Sequence, residues 1–270
     1  MIKAYFMADF SYFSHNGALL PVDQAVIPLG RVEYSYGFGV YETIRTNKGG
    51  SPFLDQHCKR LMQSAVTLEI EHNFTAQFVK DAVLALIHKN DVQTCNIKIL
   101  LIGGNTADDA DLYIQCLNPL FADRKLYKTG AHSITEHYER MYPSAKSLNM
   151  LPSYLAYRRA KRAGAYDAIL INNEGCITEG SRTNFYAIRG KTIFSAPADE
   201  VLPGVTRDNV LRVAKQHGYE LIEQPLPLAD IQNYDGAFLT NTSSKIMPLK
   251  SIDDFSWPSV TPSLLELIEA

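Results

Sequence analysis

Lys146-Ser147-Leu148-Asn149-Met150-Leu151 and, further along, Thr178-Glu179-Gly180-Ser181-Arg182-Thr183-Asn184 are the stretches from which the rest of the 270-residue chain is best read. The first sets a lysine between Ser144-Ala145 and a run of small and apolar residues, so partial burial of its amine is expected. Burial disfavours the charged form of an amine, and a neutral lysine is a nucleophile. The second sets a glutamate inside a Thr-Glu-Gly step. Taken alone, Lys146 is a surface lysine and Glu179 an ordinary turn residue. The surrounding sequence decides between these readings.

Around these stretches the apolar spacing predicts a helix near Ser153–Ala163, stopped by Gly164. Strands are expected at Ala168–Ile171 and Cys176–Thr178 about the turn Asn172-Asn173-Glu174-Gly175. Phe185–Ile188 and Thr192–Phe194 form a further hairpin. A helix from about Thr206 ends at His217-Gly218, with glycine just past its end. Towards the N-terminus, strands are expected at Asn96–Ile102 and Asp111–Leu117. Two helices precede them. One is capped by Asp55 and runs to about Ile70, with Cys58, Leu61, Met62, Ala65 and Leu68 on one face. The other is capped by Thr75, with Phe78, Ala82, Val83, Leu86 and Ile87 inward. The first fifty residues read as strands and turns, and Tyr41–Thr46 is expected to pair with Pro52–Leu54 across the glycines at 49 and 50. Strands grouped with helices in each half suggest two α+β domains rather than a doubly wound sheet.

Composition bounds the function. A net charge of -3 with no dense Lys/Arg run argues against a nucleic-acid partner. Arg158-Arg159-Ala160-Lys161-Arg162 reads as the wet face of a helix. Cys58, Cys95, Cys116 and Cys176 form no C-x-x-C pair, so zinc and redox motifs are unsupported and no metal site is expected. Met1-Ile2-Lys3-Ala4-Tyr5-Phe6 lacks an apolar signal region, and no window approaches the length of a membrane span. A cytoplasmic protein without a membrane partner is expected. No dinucleotide fingerprint, P-loop or serine-hydrolase elbow occurs.

Five pieces, these two stretches among them, fall in order along the chain. Tyr36-Gly37-Phe38-Gly39-Val40-Tyr41-Glu42-Thr43-Ile44-Arg45 is followed by Pro52-Phe53-Leu54 with His57 and Arg60-Leu61. The lysine and glutamate stretches come next, then Leu202-Pro203-Gly204-Val205-Thr206-Arg207 and Thr240-Asn241-Thr242-Ser243-Ser244. From about residue 15 to 250, this ordered set resembles the fold-type IV pyridoxal-phosphate (PLP) enzymes, the class IV aminotransferase family. That family includes branched-chain and D-amino-acid aminotransferases and 4-amino-4-deoxychorismate lyase.

The resemblance implies a small N-terminal α/β sandwich over residues 1–117, a linker at 118–123 and a larger β-barrel-like C-terminal domain over 124–270. Pro119 in the linker breaks the sheet pattern. It assigns the Schiff base with pyridoxal 5'-phosphate to Lys146. Glu179 becomes the carboxylate that keeps the pyridine nitrogen protonated, since an opposite charge stabilises a cation. Arg60, the helix start at Val205-Thr206, and Thr242 become the phosphate ligands, a guanidinium fork and helix N–H groups both suiting an anion. Tyr36, Tyr41 and Arg45 become candidates for the substrate side, because residues 41, 43 and 45 of a strand share a face.

The implied reaction is ping-pong transfer of an amino group between an amino acid and a 2-keto acid, in a homodimer. The alternative is the lyase, which converts aminodeoxychorismate to 4-aminobenzoate and pyruvate. Two departures from the family pattern stand out. Arg31-Val32-Glu33 replaces an upstream Asp-Arg-Gly, and Gly103-Gly104-Asn105-Thr106-Ala107-Asp108-Asp109-Ala110-Asp111 lacks the Arg-x-His pair that reads a D-amino acid's carboxylate. The three acidic residues of that stretch are expected to face solvent.

Overall fold

The computed structural model describes residues 10–48 and 50–269, so the N-terminal hexapeptide and Gly49 of the glycine turn lie outside the described residues. The chain divides into two compact units. One comprises residues up to Leu120 together with Ala145–Asn149, and the other Phe121–Ser144 together with Met150 onwards. The segment around Lys146 therefore belongs to the first unit, although the chain on either side of it belongs to the second.

The first unit contains β1 (Tyr12–His15), β2 (Ala18–Pro21), α1 (Val32–Tyr36), β3 (Gly39–Arg45), α2 (Leu54–Thr67), α3 (Ala76–Lys89), β4 (Asn96–Ile102) and β5 (Asp111–Leu117). The strands form an antiparallel sheet in the order β2-β1-β5-β4-β3. Strand period two meets helix period 3.6 on one face only. Val40, Ile44, Ile97, Ile99, Leu101, Leu112 and Ile114 alternate inward and share a core with Leu61 and Ala65 of α2 and Val79, Val83 and Leu86 of α3. Each fully buried aliphatic side chain there contributes about 1.5–3 kcal/mol. The opposite face carries Tyr41, Thr43 and Arg45 beside Lys98 and Leu100, then Tyr113 and Gln115.

Several expectations fail in this unit for local reasons. Pro52–Leu54 is not a strand, and β3 pairs with β4. Pro52 has no N–H to give a ladder, and Phe53 adopts a left-handed φ of 63° that turns the chain directly into α2. Phe53, not Asp55, precedes that helix, and Asp55 pairs with Lys80 at 2.7 Å. Thr75 does cap α3, accepting from Phe78 N at 3.1 Å. Phe78 itself stays 39% exposed against Phe74 while Val79 takes the inward place.

The second unit contains α4 (Leu126–Thr129), β6 (Ala131–His137), α5 (Leu151–Arg162), β7 (Asp167–Ile171), β8 (Ile177–Gly180), β9 (Asn184–Arg189), β10 (Thr192–Ser195), α6 (Val205–Gln216), β11 (Glu220–Glu223), β12 (Gly236–Asn241), β13 (Lys245–Ile252), β14 (Phe255–Ser256) and α7 (Pro262–Glu269). Strands β9-β12-β13-β6-β7-β8 follow one another, and β8 pairs back onto β9 at Glu179↔Asn184, which closes a ring. All six ring strands contribute to one cluster, including Ala131, Ile169, Ile177, Phe185, Leu239 and Met247, so that cluster fills the ring. Alternate residues point the other way. Tyr186, Ile188 and Phe238 pack with α6 and α7, and Ala168 and Leu170 with Ala156 and Ala160 of α5. Burial on both faces explains why Ala168–Ile171 and Phe185–Ile188 are continuous apolar runs. A small helix-backed sheet and a larger barrel-like sheet make the chain the α+β type expected.

Candidate active site

Lys146 sits on a short extended segment added to the free edge of β3. Tyr41 N donates to Lys146 O and Leu148 N to Gly39 O, each at 2.9 Å, and Val40 bridges Ser147. Lys146 N donates to Ser64 Oγ of α2 at 3.1 Å. The main chain is therefore fixed on both sides, and the side chain projects on the face that carries Tyr41. Its Nζ lies 4.6 Å from the centre of the Tyr41 ring, in cation–π range. Lys98 Nζ lies 3.6 Å from the centre of the same ring.

Arg60 projects from α2 onto Glu42, on the helix-covered face of β3. Its Nε donates to Oε1 at 2.6 Å and its Nη2 to Oε2 at 2.8 Å, a two-point fork. His57 Nδ1 lies 2.8 Å from Oε2. Burial alone would push the Glu42 carboxyl up, but the Arg60 charge and the bonds from His57 and Arg60 outweigh it and hold it at about 2. Glu42 thus fixes the direction of the Arg60 guanidinium.

In the second unit, Glu179 is the penultimate residue of β8, at 4% exposure. Arg140 Nη1 donates to its Oε1 at 2.8 Å, and Leu202 N to its Oε2 at 3.2 Å. Asn184 Nδ2 reaches Oε2 at 3.5 Å and Leu202 O at 2.8 Å, tying the chain before α6 to the glutamate. Gly204 makes this approach feasible, because a Cβ there would fall 2.1 Å from Asn184 Oδ1. Arg140, Thr178 and Glu179 line a pocket of about 170 Å³ with Glu139, Met141, Pro143, Asp199 and Glu200.

Gly204 precedes α6, with Val205 and Thr206 in its first turn and no side-chain cap. First-turn N–H groups have no acceptor within their own helix, so this end suits an anion. Thr242 lies in the turn after β12, where Asn241 Oδ1 accepts from Ser243 N at 2.9 Å and Ser244 N at 2.7 Å.

Within each unit the expected residues gather as follows. Lys146 and Tyr41 are in contact, and Arg45 shares their face, its Nε on Asn96 Oδ1 at 2.6 Å. Tyr36 ends α1 and is 81% exposed. Asp111 overturns the expectation for the acidic stretch. Asp108 and Asp109 are exposed, but Asp111 is half-buried among His15 (2.7 Å), Tyr34 (2.9 Å) and Arg31 (3.2 Å). Strand alternation turns it onto the sheet face, where these partners offset its charge.

Glu42, Lys98 and Arg140 were not singled out in the sequence. Glu42 carries a readable signal, a carboxylate in phase with the core residues Val40 and Ile44. Lys98 carries one too, interrupting an apolar strand in phase with Leu100. Arg140 lies in a loop with no periodic signal.

The family model for Amino-transferase class IV matches residues 39–252. A putative branched-chain-amino-acid aminotransferase of Methanocaldococcus jannaschii is 32% identical, over 88% of this chain and 86% of that one. A D-alanine aminotransferase of Bacillus licheniformis is 29% identical over 93% and 91%. The solved structure of a T.th. branched-chain amino acid aminotransferase with pyridoxamine 5'-phosphate superposes with a TM-score of 0.88 at 27% identity, covering 96% of this chain and 92% of that one.

Proposed function

The chain belongs to the class IV aminotransferase family, whose members are pyridoxal-phosphate-dependent, and on that premise we propose that it moves an amino group between an amino acid and a 2-keto acid with Lys146 as the residue that takes up the cofactor. The lyase alternative is not favoured, since the relatives above are named as aminotransferases. The observation that carries the assignment is the doubly anchored Lys146 segment, which sets one amine against the Tyr41 ring instead of leaving it to swing in solvent.

The donor set fits the cofactor. Each carboxylate oxygen has two lone pairs, so Glu179 can accept from a pyridine N–H beside its present partners. When bound, the cofactor supplies an electron sink for negative charge at the substrate Cα. Lys146 Nζ takes and returns the Cα proton. Glu179 holds a proton on the ring nitrogen, while Arg140 holds Glu179 in place. Val205 and Thr206 at the start of α6, with Thr242 and Arg60, grip the phosphate. Tyr41 and Arg45 face the substrate.

A cytoplasmic homodimer is part of this reading. Val26, Ile27, Leu29 and Val32 are 70%, 60%, 103% and 53% exposed, an apolar run suited to a partner subunit. The described cysteines are free thiols, as a reducing compartment requires. No helix among the described residues is long and apolar enough to cross a membrane.

The test is to add pyridoxal 5'-phosphate and follow the visible band of the bound cofactor while D- and L-amino acids are supplied singly. Conversion of the band with release of a keto acid is expected for some of them, and its loss in Lys146→Ala. Pyruvate with 4-aminobenzoate from aminodeoxychorismate would instead favour the lyase.

A further inference from the structure

The turn that follows β12 in the second unit is held from several sides. Asn241 pairs with Lys245 at the start of β13, so residues 242–244 alone form the loop. Asn241 Oδ1 accepts from both Ser243 N and Ser244 N, which folds the loop around the last residue of β12. Lys245 closes it with a φ of 56°, a left-handed backbone uncommon for any residue but glycine. A residue in that region persists where its surroundings over-determine it, and such places cluster at ligand clamps.

Two phenols supply the rest of the grip. Tyr127, on the single turn of α4, donates to Ser244 O at 3.0 Å. Tyr166, just before β7, shares a hydrogen bond with Ser244 Oγ at 2.6 Å. The Tyr127 ring packs on the cluster that fills the ring of strands, so its hydroxyl is delivered to the loop from a fixed base. α4 itself is only four residues long and packs on β13. The register of the sheet shows what lies beside this loop. Thr240 stands opposite Asn184, whose Nδ2 donates to Leu202 O shortly before Gly204. A Cβ on Gly204 would fall 2.1 Å from Asn184 Oδ1. The loop after β12 and the uncapped start of α6 therefore flank the same asparagine.

We propose that Tyr127 is a positioning residue for the cofactor phosphate: by holding Ser244 O it keeps the 242–244 loop in the shape in which the Thr242 hydroxyl binds the anion beside the start of α6. The inference rests on Thr242 being a phosphate ligand. A hydrogen bond weakens steeply as its angle departs from linear, so a loop that regains freedom loses the bond from Thr242 before it loses its fold. Removing the Tyr127 hydroxyl leaves the Asn241 and Tyr166 bonds in place. The hairpin thus survives the change that tests the idea.

The experiment measures binding of two probes to the full-length, cofactor-free protein by their own fluorescence. Pyridoxamine 5'-phosphate carries the phosphate but has no aldehyde to bond a lysine, and pyridoxamine lacks the phosphate as well. Tyr127→Phe should weaken the phosphate ester about fivefold, the weight of one net hydrogen bond, and leave pyridoxamine unchanged, with unaltered far-UV circular dichroism. Thr242→Ala should also weaken the phosphate ester. The double variant should bind it no more weakly than Thr242→Ala alone, because Tyr127 acts through Thr242. Unchanged affinity in Tyr127→Phe, a loss that falls equally on pyridoxamine, or losses that add fully in the double variant would each overturn the proposal while Thr242 keeps its role. Unchanged affinity in Thr242→Ala is a different failure: it removes Thr242 from the phosphate ligands, and the role of Tyr127 goes with it.

Discussion

Glu42 is a carboxylate with no exposed surface, sustained by Arg60 and His57. Removing one partner of a buried pair typically costs about 3–5 kcal/mol, so Glu42→Gln should lower stability at pH 7 by about that amount in urea unfolding. Its folded carboxyl titrates at about 2, below an unfolded value of about 4.3. The stability it contributes is therefore full above the unfolded value and is lost as pH falls through the folded one. The gap between wild type and Glu42→Gln should shrink from about pH 4.5 downwards and close near pH 2. A gap that stays constant with pH would mean that Glu42 is not ionised in the folded state. The residues named by resemblance could be proposed from sequence because each sits in a contiguous motif. The Glu42–Arg60 fork was not, since it depends on α2 lying across β3, which neither motif states.

Among the elements, α3 and α6 start in different ways. Thr75 caps α3 with its own hydroxyl, and Thr75→Ala should cost about 1 kcal/mol without touching cofactor uptake, measured by thermal unfolding beside a PLP titration. α6 has no side-chain cap, and Gly204 instead lets the chain close on Asn184. Gly204→Ala must displace Asn184, and with it the contacts to Leu202 and Glu179. It should weaken PLP binding about tenfold or more while far-UV circular dichroism holds; an unchanged affinity would show that the start of α6 does not grip the phosphate. Strands were read well where alternation was clean, as at Asn96–Ile102 and Asp111–Leu117. Errors came at junctions. One left-handed residue, Phe53, replaced a hairpin by a helix entry, and a local spacing rule cannot see that φ.

For the molecule as a whole, ring closure in the second unit rests on the turn between β8 and β9. Asp167, 1% exposed, accepts from Thr183 Oγ1 at 2.9 Å, Ala168 N at 2.9 Å and Ser181 Oγ, and so fastens that turn to β7. Asp167→Ala orphans three donors and should cost about 3 kcal/mol in urea unfolding; a loss under about 1 kcal/mol would mean the ring closes without it. No spacing in the sequence announces this cluster, because Asp167 meets Ser181 and Thr183 only once the ring exists. The first unit is also discontinuous in sequence, and synthesis order gives that fact a consequence. A ribosome delivers β1 to β5 well before residues 145–149, so the nascent sheet waits with the outer edge of β3 uncovered. Unpaired strand edges recruit other chains. The few residues that carry Lys146 are then also the stopper that ends this exposure, and an early termination before residue 145 should yield a fragment that self-associates while one reaching residue 150 does so less.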